Sequence, residues 1–353
     1  MEIDPQIAEL FGLIKKDSKV DVYLGDDVTM GSVSPYGVPS GLPQLDVYLG
    51  GKGGLPAGKI IEYYGFQMTG KSTAAMQAGA EWQKKGGVVI FIDTERGWLP
   101  LRARQLGMIP ERVIKYEPET VEGVFNCIDD AIDKLEKVKW DKPVLIIVDS
   151  ITGVPTNADV EGKMEDSDRP GFEAKQIKRG VRRLNALIDS YECKPTIIFI
   201  NHAIAKIGVT FGKKSESGGG HGIKFFATIR ACFTAIGSLR EGTKEDARRV
   251  GQKIQIEIEK LRGASLEYPR FNVELKNEGG FDHIEGLKCA MLATSYAEKP
   301  ESGRTITFHD GCQIRNQDFE EWMDQSGGYD AVYLKWRKWC VEKGILQPWG
   351  GAA

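Results

Sequence analysis

Residues 58–83 read GKIIEYYGFQMTGKSTAAMQAGAEWQ, and this stretch decides the fold. Lys59 to Tyr64 is β-branched and aromatic, the composition of a strand. Thr73 to Gln83 is Ala-rich and suits a helix. Between them, Gly65, Phe66, Gln67, Met68, Thr69, Gly70, Lys71 and Ser72 match G-x-x-x-x-G-K-[ST] in full. The two glycines let the backbone wrap so that its N–H groups point at phosphate oxygens. The helix that begins here, with Thr73 in its first turn, turns its positive end on the same anion. Lys71 is expected to reach the β- and γ-phosphates, and the Ser72 hydroxyl to ligate Mg²⁺. A chance match is the bland alternative, and the strand–loop–helix setting argues against it.

Outward from this loop, apolar runs recur. Val88 to Ile92 leads into Asp93-Thr94-Glu95, Val144 to Val148 into Asp149-Ser150, and Thr196 to Ile200 into Asn201-His202. Helical stretches, including Val121 to Val138, lie between them. The alternation predicts an α/β fold with a mostly parallel central sheet covered on both faces. In such sheets the polar residues just past the strand C-termini form the ligand site. Asp149, with Ser150 beside it, is expected to hold Mg²⁺ directly or through water. Glu95 is the candidate to activate the attacking water. His202 is placed to sense the γ-phosphate. The plain alternative for each is a strand-end cap.

Residues 1–43 read as a short N-terminal helix and strand with a connector. The helix opens at Asp4-Pro5 and carries Ile7, Leu10, Phe11 and Ile14 at helical spacing; Val20 to Leu24 reads as the strand. The core is expected over 44–280. Residues 281–353 shift to an aromatic, basic composition with Trp322, Tyr329, Tyr333, Trp336, Trp339 and Trp349, which predicts a small C-terminal α+β domain.

Two stretches of the core point at nucleic acid. Lys175, Lys178, Arg179, Arg182 and Arg183 share one helix face, while Ile177, Val181, Leu184 and Ile188 share another. Glu173 is the nearby acid in sequence, so the stripe reads as phosphate-binding. Ala203 to His221 (AIAKIGVTFGKKSESGGGH) is glycine-rich and carries Lys206, Phe211, Lys213 and Lys214. Cations for the backbone and apolar groups for the bases suit single-stranded nucleic acid. Further strands are expected at Thr228 to Gly237, Lys253 to Lys260 and Arg270 to Leu275, with an exposed hairpin over Arg240 to Arg249.

The chain has 353 residues, 41 % hydrophobic and 27 % charged, within the range of an ordinary globular protein. Its net charge is −3, so nucleic-acid binding has to come from local patches. The cysteines stand singly with no C-x-x-C, and His309 and Cys312 have no second ligand pair nearby. The N-terminus is acidic where a secretory signal needs basic residues, and no stretch has the apolar length to span a bilayer. A reduced, cytoplasmic compartment is the expectation.

The chain resembles the RecA-type DNA strand-exchange recombinases over roughly Gly41 to Phe281. The resemblance rests on Gly53 to Ile60 leading into the phosphate loop, on Phe91 to Glu95, on Phe199 to His202, and above all on Lys206-Ile-Gly-Val-Thr-Phe-Gly212 with Gly219, Gly220 and Lys224-Phe225-Phe226. It implies a RecA-like P-loop ATPase core and a helical homopolymer on single-stranded DNA. ATP, with Mg²⁺, would sit at each subunit interface, and strands would be exchanged with a homologous duplex. It implies Glu95 as the catalytic acid/base, Asp149 on the metal side, and Lys260 and Arg262 reaching the neighbour's γ-phosphate. It implies DNA contacts from Arg169 in the first loop, from Lys175 and Arg182, and from Lys206, Ile207, Phe211, Gly219 and Gly220; the charge stripe and the basic loop read above add Lys178 and Lys213. Mediator and single-strand-binding proteins are further partners it allows. A ring-forming helicase or ATP switch of the same fold, without strand exchange, is the rival. The chain departs from the bacterial pattern at several points. His202 stands where Gln is usual, Ile204 replaces a loop cation, and Leu99 and Arg102 replace residues that contact adenine. Arg102 is the candidate at the base end. The C-terminal domain differs and an acidic tail is lacking, which suits a phage-encoded member in an infected bacterial cytoplasm.

Overall fold

A computed structural model describes residues 5–17, 36–49, 53–161, 171–205, 215–242, 246–262, 269–300 and 303–346. The core is a ten-stranded sheet. Its central members are β3 (Ile60–Gly65), β4 (Val88–Asp93), β5 (Val113–Tyr116), β6 (Val144–Asp149), β7 (Thr196–Ala205) and β9 (Ile229–Glu241). They run parallel in the order β9-β3-β7-β6-β4-β5. Beyond β9 the sheet continues antiparallel through β10 (Arg248–Leu261), β11 (Arg270–Lys276) and β12 (Gly280–Phe281). A two-stranded ribbon, β1 (Gly37–Val38) with β2 (Leu55–Pro56), precedes it.

Strand periodicity explains why both faces are dry. Successive side chains alternate between faces. Ile61, Tyr63, Val89, Phe91, Leu145, Ile147, Ile198 and Ile200 pack with α3 (Lys71–Lys84) and α2 (Pro43–Tyr48). Ile60, Ile90, Ile92, Ile146, Val148, Ile197 and Phe199 pack with α5 (Val121–Lys137) and α7 (Phe172–Leu187). Thr120 caps α5 by accepting the Gly123 N–H at 3.1 Å. The short helices α4 (Pro100–Gln105), α6 (Asn157–Glu161) and α8 (Gly222–Phe226) lie in the connections.

β7 overturns one expected boundary. It does not stop at Ile200 but continues to Ala205, where it pairs antiparallel with β8 (Ser215–Ser217). Ala203 to Ala205 are therefore strand rather than loop, because the returning segment supplies ladder partners that the sequence does not announce.

A separate apolar cluster gathers Leu287, Met291, Tyr296, Phe308, Phe319 and Trp336, with Trp322, Tyr329 and Trp339 packed against it. It is built from α9 (His283–Ala293), a small antiparallel sheet of β13 (Ala297–Glu298), β14 (Thr305–Phe308) and β15 (Gln313–Arg315), then α10 (Phe319–Gln325) and α11 (Gly328–Glu342). Val47 of α2 reaches into this cluster from the core side. Asp282 caps α9 by accepting the Ile284 and Glu285 N–H groups, each at 3.0 Å. At the other end of the chain, α1 (Pro5–Asp17) leaves Leu10, Leu13 and Ile14 exposed by 56, 58 and 48 %, so none of the described clusters covers its apolar face. The expected strand at Val20 to Leu24 and Trp349 lie outside the described residues. No described helix is long and apolar enough to cross a membrane.

Candidate active site

The phosphate loop joins β3 to α3 at the C-terminal edge of the sheet. Its glycines are required by space as well as torsion. A Cβ on Gly65 would lie 2.3 Å from the Phe233 carbonyl oxygen. Gly70 has φ +84°, and a Cβ there would meet the Phe281 ring at 2.7 Å. Met68 holds a left-handed φ of 60°, and its carbonyl accepts from Gln252 Nε2 of β10 at 2.6 Å. Phe66, Gln67 and Met68 are exposed, whereas Thr69 is buried and donates to the Phe66 carbonyl at 2.9 Å. The loop is thus braced from below and open above.

Lys71 is buried, and its ammonium donates to the Gly65 and Phe66 carbonyls at 3.0 and 2.8 Å. Burial lowers its pKa, while Asp149 and Glu95 oppose that shift. Ser72, in the first turn of α3 beside Thr73, hydrogen-bonds Asp149. Burial pushes Asp149 up to about 6; Glu95 and Asp93 add to the rise, and Ser72 and Lys71 resist it. A carboxylate and a hydroxyl in contact, both hard oxygen donors, fit a Mg²⁺ ion.

Parallel register brings the remaining strand ends together. Asp93 faces Asp149, and Gly65 faces His202. Glu95 Oε1 lies 2.7 Å from Ser150 Oγ and 2.8 Å from His202 Nε2. Burial pushes the Glu95 pKa up, but the hydrogen bonds from His202 and Ser150 outweigh it and hold the carboxyl below its usual value. Glu95, Ser150, His202, Lys71, Ser72 and Asp149 are therefore neighbours. Arg102 sits apart on α4, donating to the Asn277 carbonyl at 3.3 Å past the end of β11.

Lys260 and Arg262 are at the other edge. Leu261 pairs with Ile229, which pairs with Ile61 near the start of β3. Gly65 and Ile61 are roughly 13 Å apart at about 3.3 Å per strand residue. Lys260 donates to the Lys224 and Phe225 carbonyls at 2.7 and 2.8 Å, and Arg262 also donates to Phe225. Both cations thus sit on the C-terminal end of α8, where carbonyls converge. Burial, with Arg262 and Arg230 nearby, pushes Lys260 down to about 8.

On α7, Ile177, Val181 and Leu184 are buried, while Lys175, Lys178 and Arg182 are exposed. The glycine turn before α8 lies against this helix. A Cβ on Gly222 would be 2.7 Å from Lys178 Cα, and one on Gly220 3.0 Å from the Ala174 Cβ. Gly220 and Gly222 thus lie against α7, Gly222 at Lys178 of the cationic face, while a Cβ on Gly219 would meet Thr152 and the buried Ile177 at 2.9 and 3.0 Å. The charge count on that face needs one correction. Arg183 is paired with Asp129 of α5 at 2.7 Å, and Glu173 turns away to accept the Gly153 N–H at 3.1 Å. Acids distant in sequence are close in space, which a local count misses. Arg169, Lys206, Ile207, Phe211 and Lys213 lie outside the described residues.

Sequence reasoning missed a buried network. Glu62, fully buried, accepts from Asn201 Nδ2 at 2.8 Å and from Arg230 Nε. Arg230 also pairs with Glu259 at 3.0 Å and donates to Ser217 Oγ at 3.2 Å. The available signal was one charge inside each of two apolar strands, Ile-Ile-Glu62-Tyr-Tyr and Ile-Arg230-Ala-Cys-Phe. Gln252 left no signal, because it is one polar residue of an alternating strand.

The profile of the RecA N-terminal domain matches residues 13–276. Protein RecA of Agrobacterium fabrum is 34 % identical over 314 residues, covering 85 % of this chain and 81 % of that one. Protein RecA of Rhizobium etli is 35 % identical over the same length and shares. Protein RecA of Brucella anthropi is 35 % identical over 253 residues, 69 % of this chain and 67 % of that one.

Proposed function

Because the chain belongs to the RecA family, we propose that it is an ATP-dependent recombinase that polymerises on single-stranded DNA, pairs it with a homologous duplex and exchanges strands. The observation that carries this reading is the separation of Lys260 and Arg262 from their own phosphate loop. Cations that cannot serve their own nucleotide suit head-to-tail stacking, in which each chain completes its neighbour's site. The exposed apolar face of α1 supports the same polymer. A ring-forming motor without strand exchange has no observation in its favour.

Hydrolysis follows from the residues at the sheet edge. The amides of 65–72 cradle the triphosphate, and Lys71 exchanges its carbonyl partners for phosphate oxygens. Ser72 and Asp149 would hold Mg²⁺, which supplies positive charge against the phosphates. A water oxygen attacks the γ-phosphorus, the bond to the β,γ-bridging oxygen breaks, and Glu95 accepts the water's proton. Ser150 and His202 both address Oε1 of Glu95, which leaves Oε2 for that proton. His202 lies one residue from Asn201, whose amide donates to the Gly218 carbonyl at 3.1 Å, so the γ-phosphate side and the base of the β7–β8 hairpin are adjacent. Lys260 and Arg262 would neutralise the γ-phosphate of the next subunit, and Arg102 would flank its own nucleobase.

Lys175, Lys178 and Arg182, with Gly219 and Gly220, would follow the DNA backbone; Arg169, Lys206, Ile207, Phe211 and Lys213 complete the proposed DNA set. Phosphate contacts carry no sequence information, so homology is read by base pairing. The test measures ATP hydrolysis with and without single-stranded DNA and images the same mixtures. DNA-stimulated hydrolysis with helical filaments is expected. Unstimulated hydrolysis or closed rings would sink the reading.

A further inference from the structure

Asp93 ends β4 two residues before Glu95, and its side chain is 2 % exposed. A carboxylate so buried needs partners. Its Oδ1 accepts the Gly97 N–H and its Oδ2 the Trp98 N–H, each at 3.0 Å. The nearest described cation, Lys115, is 3.9 Å from Oδ2 and pairs more closely with Glu117. Asp93 thus closes the turn 94–98 on itself, with Glu95 at its crest. Inside that turn Arg96 holds a left-handed φ of 55°, a conformation that costs energy for a side chain with a Cβ and persists only under constraint.

The turn is pinned on its other side as well. The Thr94 N–H donates to the Asp149 carbonyl at 2.9 Å. Thr94 Oγ1 donates to the Ser150 carbonyl at 2.7 Å and accepts the Ser150 N–H at 2.8 Å. The Ser150 hydroxyl then reaches Glu95 Oε1. Trp98 anchors the far end on Phe91, with ring centroids 4.8 Å apart.

We infer that Asp93 is a positioning residue for ATP hydrolysis: its two oxygens lock the turn that aims Glu95 at the attacking water. This rests on Glu95 being the proton acceptor. A simple turn cap needs one acceptor oxygen, which Asn supplies equally well. Here both oxygens accept, so Asn would set an NH₂ against an N–H. Asp93→Asn therefore separates the two roles, since it keeps shape and removes one acceptor.

The experiment uses the full chain with saturating single-stranded DNA. It measures steady-state hydrolysis together with the stoichiometry and Kd of a slowly hydrolysed ATP analogue. Asp93→Asn is expected to bind one nucleotide per chain with unchanged Kd while kcat falls roughly tenfold to a hundredfold, the scale of a misplaced catalytic group. Thr94→Val, which leaves the buried charge alone, should lower kcat in the same way by a smaller factor. It decides the matter if Asp93→Asn fails to fold. A kcat per bound nucleotide equal to wild type, or a fall that merely tracks lost stoichiometry, overturns the inference. Glu95→Gln is run beside them. If it still hydrolyses ATP, the role of Glu95 itself fails, a result distinct from an inactive Glu95→Gln with an unaffected Asp93→Asn.

Discussion

Glu95 and His202 meet through Oε1 and Nε2 at 2.8 Å, joining the end of β4 to β7 across the site. With Ser150, this contact holds the Glu95 carboxyl below its usual pKa. If Glu95 is the proton acceptor proposed above, it acts only when ionised, and hydrolysis would be lost as pH falls through its pKa. Removing His202 raises that pKa toward the ordinary value. His202→Leu is therefore expected to move the acid limb of the pH–rate profile to higher pH, and His202→Gln, which can still donate, to move it less. An acid limb that stays in place in the Leu variant would show that the contact does not tune Glu95.

Glu62 and Arg230 form an ion pair buried in the sheet, with Asn201 and Glu259 completing it. Breaking one side leaves a buried charge uncompensated, which costs about 3–5 kcal/mol. Arg230→Met should lower stability to urea by about that amount, and Glu62→Gln combined with Arg230→Met by less than Arg230→Met alone. A loss in the double variant equal to the sum of the Glu62→Gln and Arg230→Met losses measured singly would mean the two charges are not coupled.

The opposite placement of Lys71 and Lys260 predicts complementation. Lys71→Ala and Lys260→Ala chains are each expected to be inactive. Mixed in equal amounts in one head-to-tail filament, about a quarter of interfaces would pair an intact phosphate loop with an intact Lys260. Hydrolysis should reappear on mixing; a mixture as inactive as its components would place both residues in one chain's site.

Lys175 and Lys178 are exposed on α7, and Lys178 abuts Gly222 of the glycine turn. If each neutralises a phosphate, its replacement by Ala should weaken single-stranded DNA binding across sequences and flatten the salt dependence by about one unit of slope. Arg183, tied to Asp129, serves as the comparison. An Arg183→Ala effect larger than that of Lys175→Ala would argue against this division of the face.

The sequence by itself determined the G-x-x-x-x-G-K-S loop between a strand and a helix, the order of the main strands and helices, and the strand-end carboxylates. Those features depend on local chemistry: a motif with fixed spacing, apolar runs of period two, and residues that end strands. Only the tertiary structure decided which of these groups touch. Parallel register put Asp93 opposite Asp149 and His202 opposite Gly65, although long stretches of chain separate them. The same register sent Lys260 to the far edge, and spatial proximity spent Arg183 on Asp129. Gln252 on Met68, and Asp93 on Gly97 and Trp98, are hydrogen bonds set by where side chains arrive once the sheet is built. Contacts of that kind depend on distance and angle rather than residue type, so the linear chain carries no mark of them until the fold brings the atoms together.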